Sequence, residues 1–373
     1  MKLLFYDFEI PYLLKDANYP IGGACVRQVI LAKELVKLSN EVGILTWEGA
    51  NKYVGQKAEF DLIESYNPDK GIRKLRLFYL RYPALLNAVA RYKPDFLFQK
   101  TAAIETGILS LIGKILGIPF IYLVANDFEC DERLNKKLSL LDRIAFKYGI
   151  SKAKMIVCQN TFQLNKLKLK YPGHNFMLMH NPFLSSSPLP RIKSQSERRY
   201  IAWVGNFQNS KNLPALLKVV LSQPDMKFKI AGKLKLSSSD GSTLTAIEKL
   251  ESCSNVEFVG YLSRKEILNF LNSAYALLNT SHYEGFSNTF LESLAAGTPI
   301  ITRTNIDPDH IIQRNNLGIV VTDYDELPRA VEEIRDTGDY DDIASRCREY
   351  VLSNHDSGVL VSKFHNEILK LAN

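Results

Sequence analysis

His282-Tyr283-Glu284-Gly285-Phe286-Ser287-Asn288-Thr289-Phe290-Leu291-Glu292, followed by Ser293-Leu294-Ala295-Ala296-Gly297-Thr298-Pro299-Ile300-Ile301, is the stretch on which the reading turns. The apolar Ala276-Leu277-Leu278 ahead of it has the short, continuous character of a buried strand. Asn279-Thr280-Ser281 then leaves the sheet. Ser287 or Asn288 can cap a helix that runs to about Ala296, where Gly297 is a natural stop and Pro299 follows. Ile300-Ile301 begins the next strand. The segment is therefore a strand–helix–strand unit whose helix opens at the carboxyl edge of a parallel sheet.

Such a helix start offers backbone N–H groups and the positive end of the helix dipole, which together attract anions. Gly285 lets the backbone approach a phosphate. A carboxylate at Glu284 would repel that phosphate unless it accepts hydrogen bonds from neighbouring hydroxyls. A nucleotide-sugar carries hydroxyls on the sugar and on the ribose, so carboxylates on both sides of a phosphate turn suit it. By themselves, Glu284 and Glu292 would read as ordinary acidic residues at a helix start.

Working outward, strands alternate with helical patterns along the whole chain. Lys2–Tyr6, Val42–Thr46, Phe96–Phe98, Phe120–Val124, Met155–Cys158 and Phe176–Met179 read as strands. So do Tyr200–Val204, Phe228–Ala231, Val256–Val259, Tyr275–Leu278, Ile300–Thr302 and Gly318–Val321. Helices are expected at Val26–Leu38, Ile104–Leu116 and Leu213–Ser222, with a long basic helical stretch reaching Lys152 and a helical tail from Asp341 to Leu371. This alternation predicts an α/β fold of two doubly wound, Rossmann-like domains facing a cleft with their ligand-binding edges. Phe183 to Glu197, rich in Ser and Pro, is expected to be the linker. The expected division is 1–185, 199–350, and a terminal helix in 351–373 that packs back on the first domain.

The stretch quoted above resembles the E-x7-E region of glycosyltransferase family 4, down to the Ala295-Ala296-Gly297-Thr298-Pro299 exit. The resemblance spans nearly the whole chain. Pro20-Ile21-Gly22-Gly23-Ala24 is similar to the amino-terminal glycine loop of that family, and Trp203-Val204-Gly205-Asn206 through Lys211-Asn212 is similar to the opening of its second domain. Phe228–Lys233 and Val256–Leu262 are similar to its nucleotide-side strands. The resemblance implies a GT-B fold, a nucleotide-sugar donor held by the second domain, an acceptor held by the first, retention of anomeric configuration, and no metal or other cofactor. It implies that Glu292 holds the ribose, Glu284 holds sugar hydroxyls, the backbone at Phe286, Ser287 and Asn288 meets the diphosphate, and Lys211 neutralises the leaving group. Gly205, Asn206, Gly232, Lys233, Tyr261, Leu262 and Gly285 complete the implied donor site. One position departs: the family usually has Arg where this chain has Asn206. A neutral amide donates a weaker hydrogen bond than a guanidinium, so Lys233, Arg264 and Arg303 are candidates to replace the cation. The alternatives are slow turnover or a nucleotide-sugar-binding subunit impaired in catalysis; an epimerase or phosphorylase of the same fold is a further rival.

The acceptor side is read from Gly22 and Gly23, at a helix start, and from Asn126 and Asp127, just past a strand, with Asp127 a candidate base or helix cap. The 373 residues are 46% hydrophobic and 23% charged, ordinary for a globular protein. The net charge of +7 is carried by residues 1–190, which suits an anionic partner. Arg73-Lys74-Leu75-Arg76-Leu77-Phe78-Tyr79-Leu80-Arg81-Tyr82 and the basic stretch Arg133–Lys154 could lie on an anionic membrane surface. A glycan or lipid-linked saccharide acceptor at the cytoplasmic membrane face follows as the expectation; nucleic acid is not expected. Cys25, Cys130, Cys158, Cys253 and Cys347 show no paired spacing, so neither a disulfide framework nor a zinc site is expected. The Asp-x-Asp triplets at 307–309, 323–325 and 339–341 read as loop caps, and no signal peptide or membrane span is expected.

Overall fold

The computed structural model describes residues 1–15, 22–56, 58–72, 75–185, 188–263 and 265–372. The chain forms two compact units, Met1–Pro182 with Ser357–Asn373, and Phe183–Asp356. Arg264, Arg73, Lys74, Pro20 and Ile21, singled out above, lie outside the described residues.

The first unit is built on a parallel seven-stranded sheet. Its strands are β1 (Lys2–Tyr6), β2 (Glu41–Thr46), β3 (Asp61–Glu64), β4 (Phe96–Lys100), β5 (Phe120–Leu123), β6 (Met155–Cys158) and β7 (Asn175–Leu178). They lie in the order β3-β2-β1-β4-β5-β6-β7. Strands covered on both faces need apolar side chains on both faces, which is why these segments read as unbroken hydrophobic runs. Alternate residues feed two cores. Leu4, Leu97 and Tyr122 pack on one face, and Leu3, Phe5, Phe98 and Ile121 on the other. The helix Ser357–Ala372 joins that second core through Val361, Phe364 and Ile368.

The second unit holds β8 (Tyr200–Val204), β9 (Phe228–Ala231), β10 (Val256–Gly260), β11 (Ala274–Leu278), β12 (Ile300–Arg303) and β13 (Gly318–Val321), in the order β10-β9-β8-β11-β12-β13. All pairings are parallel, so every strand of the sheet delivers its carboxyl end to one edge. The helix Asn288–Ala295 buries Phe290, Leu291 and Leu294 in a core shared with Ala202, Leu277 and Ile300.

Three expectations change. β3 has no counterpart in the sequence reading: Asp61-Leu62-Ile63-Glu64 is a short edge strand with charged ends, so it lacks the apolar run of its neighbours. The basic stretch before Lys152 is two helices, Arg133–Lys137 and Leu140–Ser151, because Ser139 caps the second by accepting from the Asp142 N–H. The Ser/Pro-rich stretch after residue 187 is bonded into the second unit rather than left as a free connector. Lys193 N–H donates to Asn272 Oδ1 at 3.1 Å, and Gln195 N–H to Asp341 Oδ1 at 3.0 Å. The fully buried Arg198 donates to the carbonyls of Ala274 and Gly297, both at 2.7 Å, and to Thr298 Oγ1 at 2.8 Å. Composition marks such a stretch as irregular; it does not say whether polar side chains tie it down. Among the described residues no helix is long and apolar enough to cross a membrane.

Candidate functional site

The carboxyl edge of the second sheet gathers nearly all the donor candidates. β8 ends into Gly205 and Asn206, β9 into Gly232 and Lys233, β10 into Tyr261 and Leu262, and β11 into the loop that carries Glu284. The loops touch. Gly205 N–H donates to Ala231 O at 3.0 Å, and Gly232 N–H to Gly260 O at 2.8 Å. Gly232 has φ +148°, and a Cβ there would stand 1.9 Å from Gly205 O. Only glycine allows these two exits to close on each other.

Lys211 follows in a short 3-10 turn, and its Nζ pairs with Glu284 Oε1. Ser281 Oγ donates to the same carboxylate oxygen at 2.7 Å. Both charged side chains are about one-sixth exposed, at 17% and 16%, so the pair is shielded but within reach of a ligand. Its frame is rigid. Trp203 Nε1 donates to Thr280 Oγ1 at 3.0 Å, and that hydroxyl donates to Lys211 O at 2.8 Å. His282 N–H donates to Ser210 O at 2.8 Å. Two loops from β8 and β11 are thus sewn together around one ion pair. Trp203, Thr280 and Ser281 were given no role in the sequence reading, although they stand in or beside its motif stretches.

Glu284 leads through Gly285 to Ser287, the N-cap of the helix Asn288–Ala295. The Ser287 hydroxyl makes no capping bond to that helix. Phe286 is buried in the core on this face, its ring centroid 5.2 Å from His355, so the side chain anchors the loop. Glu292 is half-buried one turn along. Of the candidate cations, Arg303 ends β12 and stacks on Tyr324 with 3.8 Å between guanidinium carbon and ring centroid. Its Nη2 donates to Ser281 O at 3.4 Å, and Tyr324 OH lies 3.1 Å from His282 Nδ1. Lys233 Nζ sits over the Tyr261 ring at 5.7 Å.

The acceptor candidates stand in the first unit. Gly22 is the N-cap of the helix Gly23–Lys37. Asn126 opens a 3-10 turn at Asp127–Cys130. Asp127 Oδ1 accepts from Asn160 Nδ2 at 3.0 Å and Gln163 Nε2 at 2.9 Å. Burial pushes its carboxyl up to about 6, against those two donors, which pull it down. Sequence reasoning missed a buried charged group beside these residues. Lys100 Nζ pairs with Asp7 Oδ2 at 2.9 Å, and Arg27 donates from Nη1 to Val124 O at 3.0 Å. Burial lowers Arg27 to about 10. Arg27 stands beside Gln28 on a helix that also carries Lys33, Glu34 and Lys37, so no local pattern marks it as the buried one.

Two of the aspartate triplets are used locally, while Asp341 of the third accepts from Gln195 N–H. Asp307 accepts from the N–H groups of Ile312 at 2.9 Å and Gln313 at 3.1 Å, and Asp323 accepts from Tyr324 N–H at 2.6 Å. Among the described residues no group of three or more His, Cys, Asp or Glu could hold a metal ion, and the cysteines are free thiols.

Residues 189–351 match the family described as "Glycosyl transferases group 1". Over 382 residues the chain is 23% identical to the alpha-monoglucosyldiacylglycerol synthase of Streptococcus pneumoniae, covering 95% of this chain and 84% of that protein. Its fold is similar to the sucrose-phosphate synthase from Thermosynechococcus elongatus, with a TM-score of 0.80, 15% identity, and coverage of 100% and 99% of the two chains. It is also similar to Anabaena HepE in complex with UDP-glucose, with a TM-score of 0.76, 15% identity, and coverage of 99% and 100%.

Proposed function

We propose that this chain, which belongs to the group 1 glycosyl transferases and is a nucleotide-sugar-dependent glycosyltransferase of the GT-B fold, moves a hexose with retention of configuration onto a glycan or lipid-linked acceptor at an anionic membrane face. The Lys211–Glu284 pair at the sheet edge carries the reading. The two charges pair with each other. A donor diphosphate draws the Lys211 ammonium to itself and leaves Glu284 to accept from sugar hydroxyls. When the bond between the anomeric carbon and the diphosphate oxygen breaks, its electron pair leaves with the diphosphate. Lys211 stabilises that charge, and the positive end of the helix Asn288–Ala295 adds to it. The acceptor hydroxyl oxygen bonds to the anomeric carbon on the same face, and its proton passes to the departing diphosphate oxygen. Glu292, one turn into the helix, holds the ribose.

Asn206 removes one cation from the usual clamp, and Arg303 supplies it. Its guanidinium already reaches the carbonyl of Ser281, three residues before Glu284. Lys233 is the other candidate: it follows β9, which pairs with β8, its carbonyl accepts from Phe207 N–H at 2.7 Å, and its Nζ lies over the Tyr261 ring. UDP-glucose, bound in the HepE structure, is the donor to try first. On the acceptor side, Gly22, Gly23, Asn126 and Asp127 meet the sugar or headgroup, with Asp127 positioned by Asn160 and Gln163.

Two features support a membrane surface. Ile72, Leu75, Phe78 and Tyr79 are exposed beside Arg76 and Arg81, with Phe78 72% exposed. Leu140, Leu141 and Ile144 are exposed on the helix Leu140–Ser151, which also carries Arg143 and Lys147. Apolar side chains among cations suit the interface of an anionic bilayer. The name of the pneumococcal relative, a diacylglycerol glycoside synthase, points the same way. The test is a transfer assay with UDP-glucose and diacylglycerol-containing vesicles, the product read by NMR. An axial anomeric linkage supports the reading. An equatorial linkage overturns retention, and absence of transfer from every nucleotide-sugar tried overturns the function.

A further inference from the structure

The first unit encloses a small cavity at the carboxyl edge of its sheet, beneath the first turns of the helix Gly23–Lys37. Ala24, Arg27, Gln28, Lys100, Val124 and Ala125 line it. Arg27 is 3% exposed and spends one donor, Nη1, on Val124 O. Its Nε and Nη2 find no acceptor among the described residues, and neither does Gln28 Oε1 find a donor. The carboxylates within reach are already engaged. Asp7 pairs with Lys100 and accepts from Glu9 N–H at 2.8 Å. Glu129 accepts from Tyr122 OH at 2.7 Å and from the N–H groups of Ala125 and Asn126. A desolvated guanidinium with two unfilled donors is a costly arrangement for a fold to keep. The helix start adds positive potential at the same place.

We propose that this cavity is an anion subsite, and that the group it takes is the phosphate of a phosphorylated acceptor. The inference rests on the transferase reading and adds the chemical class of the acceptor to it. A planar guanidinium offers Nε and Nη2 side by side, which matches two oxygens of one phosphate. Gln28 Oε1 accepts the proton of a hydrogen phosphate, so the site favours a phosphomonoester over a carboxylate. Lys100, held by Asp7, contributes charge from the cavity wall. The donor residues belong to the other unit, so the two sites can be probed independently.

The experiment uses the full chain with its donor site saturated by UDP. Inorganic phosphate and glycerol 3-phosphate are then titrated by calorimetry. Saturable one-to-one binding is expected, weakened roughly tenfold to a hundredfold in Arg27→Gln, with UDP affinity unchanged. Arg27→Lys keeps the charge without the fork and should fall between the two; it also serves if Arg27→Gln melts below the assay temperature. Vesicles containing phosphatidic acid identify the source: Arg27-dependent binding to vesicles but not to glycerol 3-phosphate assigns a lipid phosphate, and the reverse assigns a soluble one. Phosphate binding that is absent from the parent chain, or equal in parent and Arg27→Gln, overturns the subsite. Failure of UDP to bind overturns the donor reading instead.

Discussion

Glu284→Gln separates the two halves of the proposed donor site. The substitution keeps the shape of the side chain and its bond from Ser281, and removes only the charge that pairs with Lys211. Two unit charges about 4 Å apart attract by about 4 kcal/mol at the effective dielectric of a protein surface. Desolvation returns much of this, and exposed pairs net about 0.2–1 kcal/mol. A pair that is largely shielded, as this one is, should lose about 1–2 kcal/mol when the charge is removed, a fall in melting temperature of about 2–6 °C. Nucleotide binding should behave in the opposite sense. With no carboxylate to share it, the Lys211 ammonium is available to the diphosphate, and UDP should bind as tightly as before or a few-fold more tightly. Transfer should fall by about 100- to 1,000-fold, the usual cost of removing one group aimed at developing charge. Calorimetry with UDP and a radiolabelled transfer assay give the two numbers. Transfer within about threefold of the parent, or UDP affinity lost in parallel with activity, would refute the role given to Glu284.

Three further outcomes can be measured. Gly232→Ala places a methyl 1.9 Å from Gly205 O, so it should cost about 3 kcal/mol or more; an unshifted melting curve would contradict the close approach. Asp127→Asn should flatten the pH dependence of stability. The folded carboxyl titrates at about 6, above its ordinary value of about 4, so its contribution is most favourable below pH 4 and is lost as pH rises to 6, by about 2–3 kcal/mol. The variant should therefore gain on the parent between melts at pH 4 and pH 7, and a constant difference would remove the cause assigned to burial. Phe78→Glu combined with Leu141→Glu should abolish co-sedimentation with phosphatidylglycerol vesicles and leave UDP binding intact; unchanged sedimentation would move the membrane contact elsewhere.

Much of the fold could be read because both sheets are parallel and covered on both faces. That condition forces strands such as Leu3-Leu4-Phe5 and Ile300-Ile301 to be apolar throughout. β3 escaped because an edge strand need not meet it. The helix Asn288–Ala295 was legible from Ser287 and Gly297, which mark its two ends. The donor candidates were legible as motif residues, but their support was not. Trp203 reaches Thr280 across 77 positions of sequence, and no local pattern encodes such a bond. Arg27 was concealed for a related reason: a buried cation on a helix looks like an interruption of the apolar stripe until the fold shows what surrounds it. Arg198 repeats the lesson, since a Ser- and Pro-rich stretch gave no hint that it ends on a buried guanidinium.

In the proposed donor site, the carboxyl edge of the second sheet binds a nucleotide-sugar through Lys211. Titration of UDP-glucose into the full chain and into Lys211→Met tests it most directly. The parent should bind saturably at one site, and the variant about 10- to 100-fold more weakly, the loss of one charge-assisted hydrogen bond. Equal affinity in the two proteins, or binding in neither, would rule out Lys211 as the donor contact.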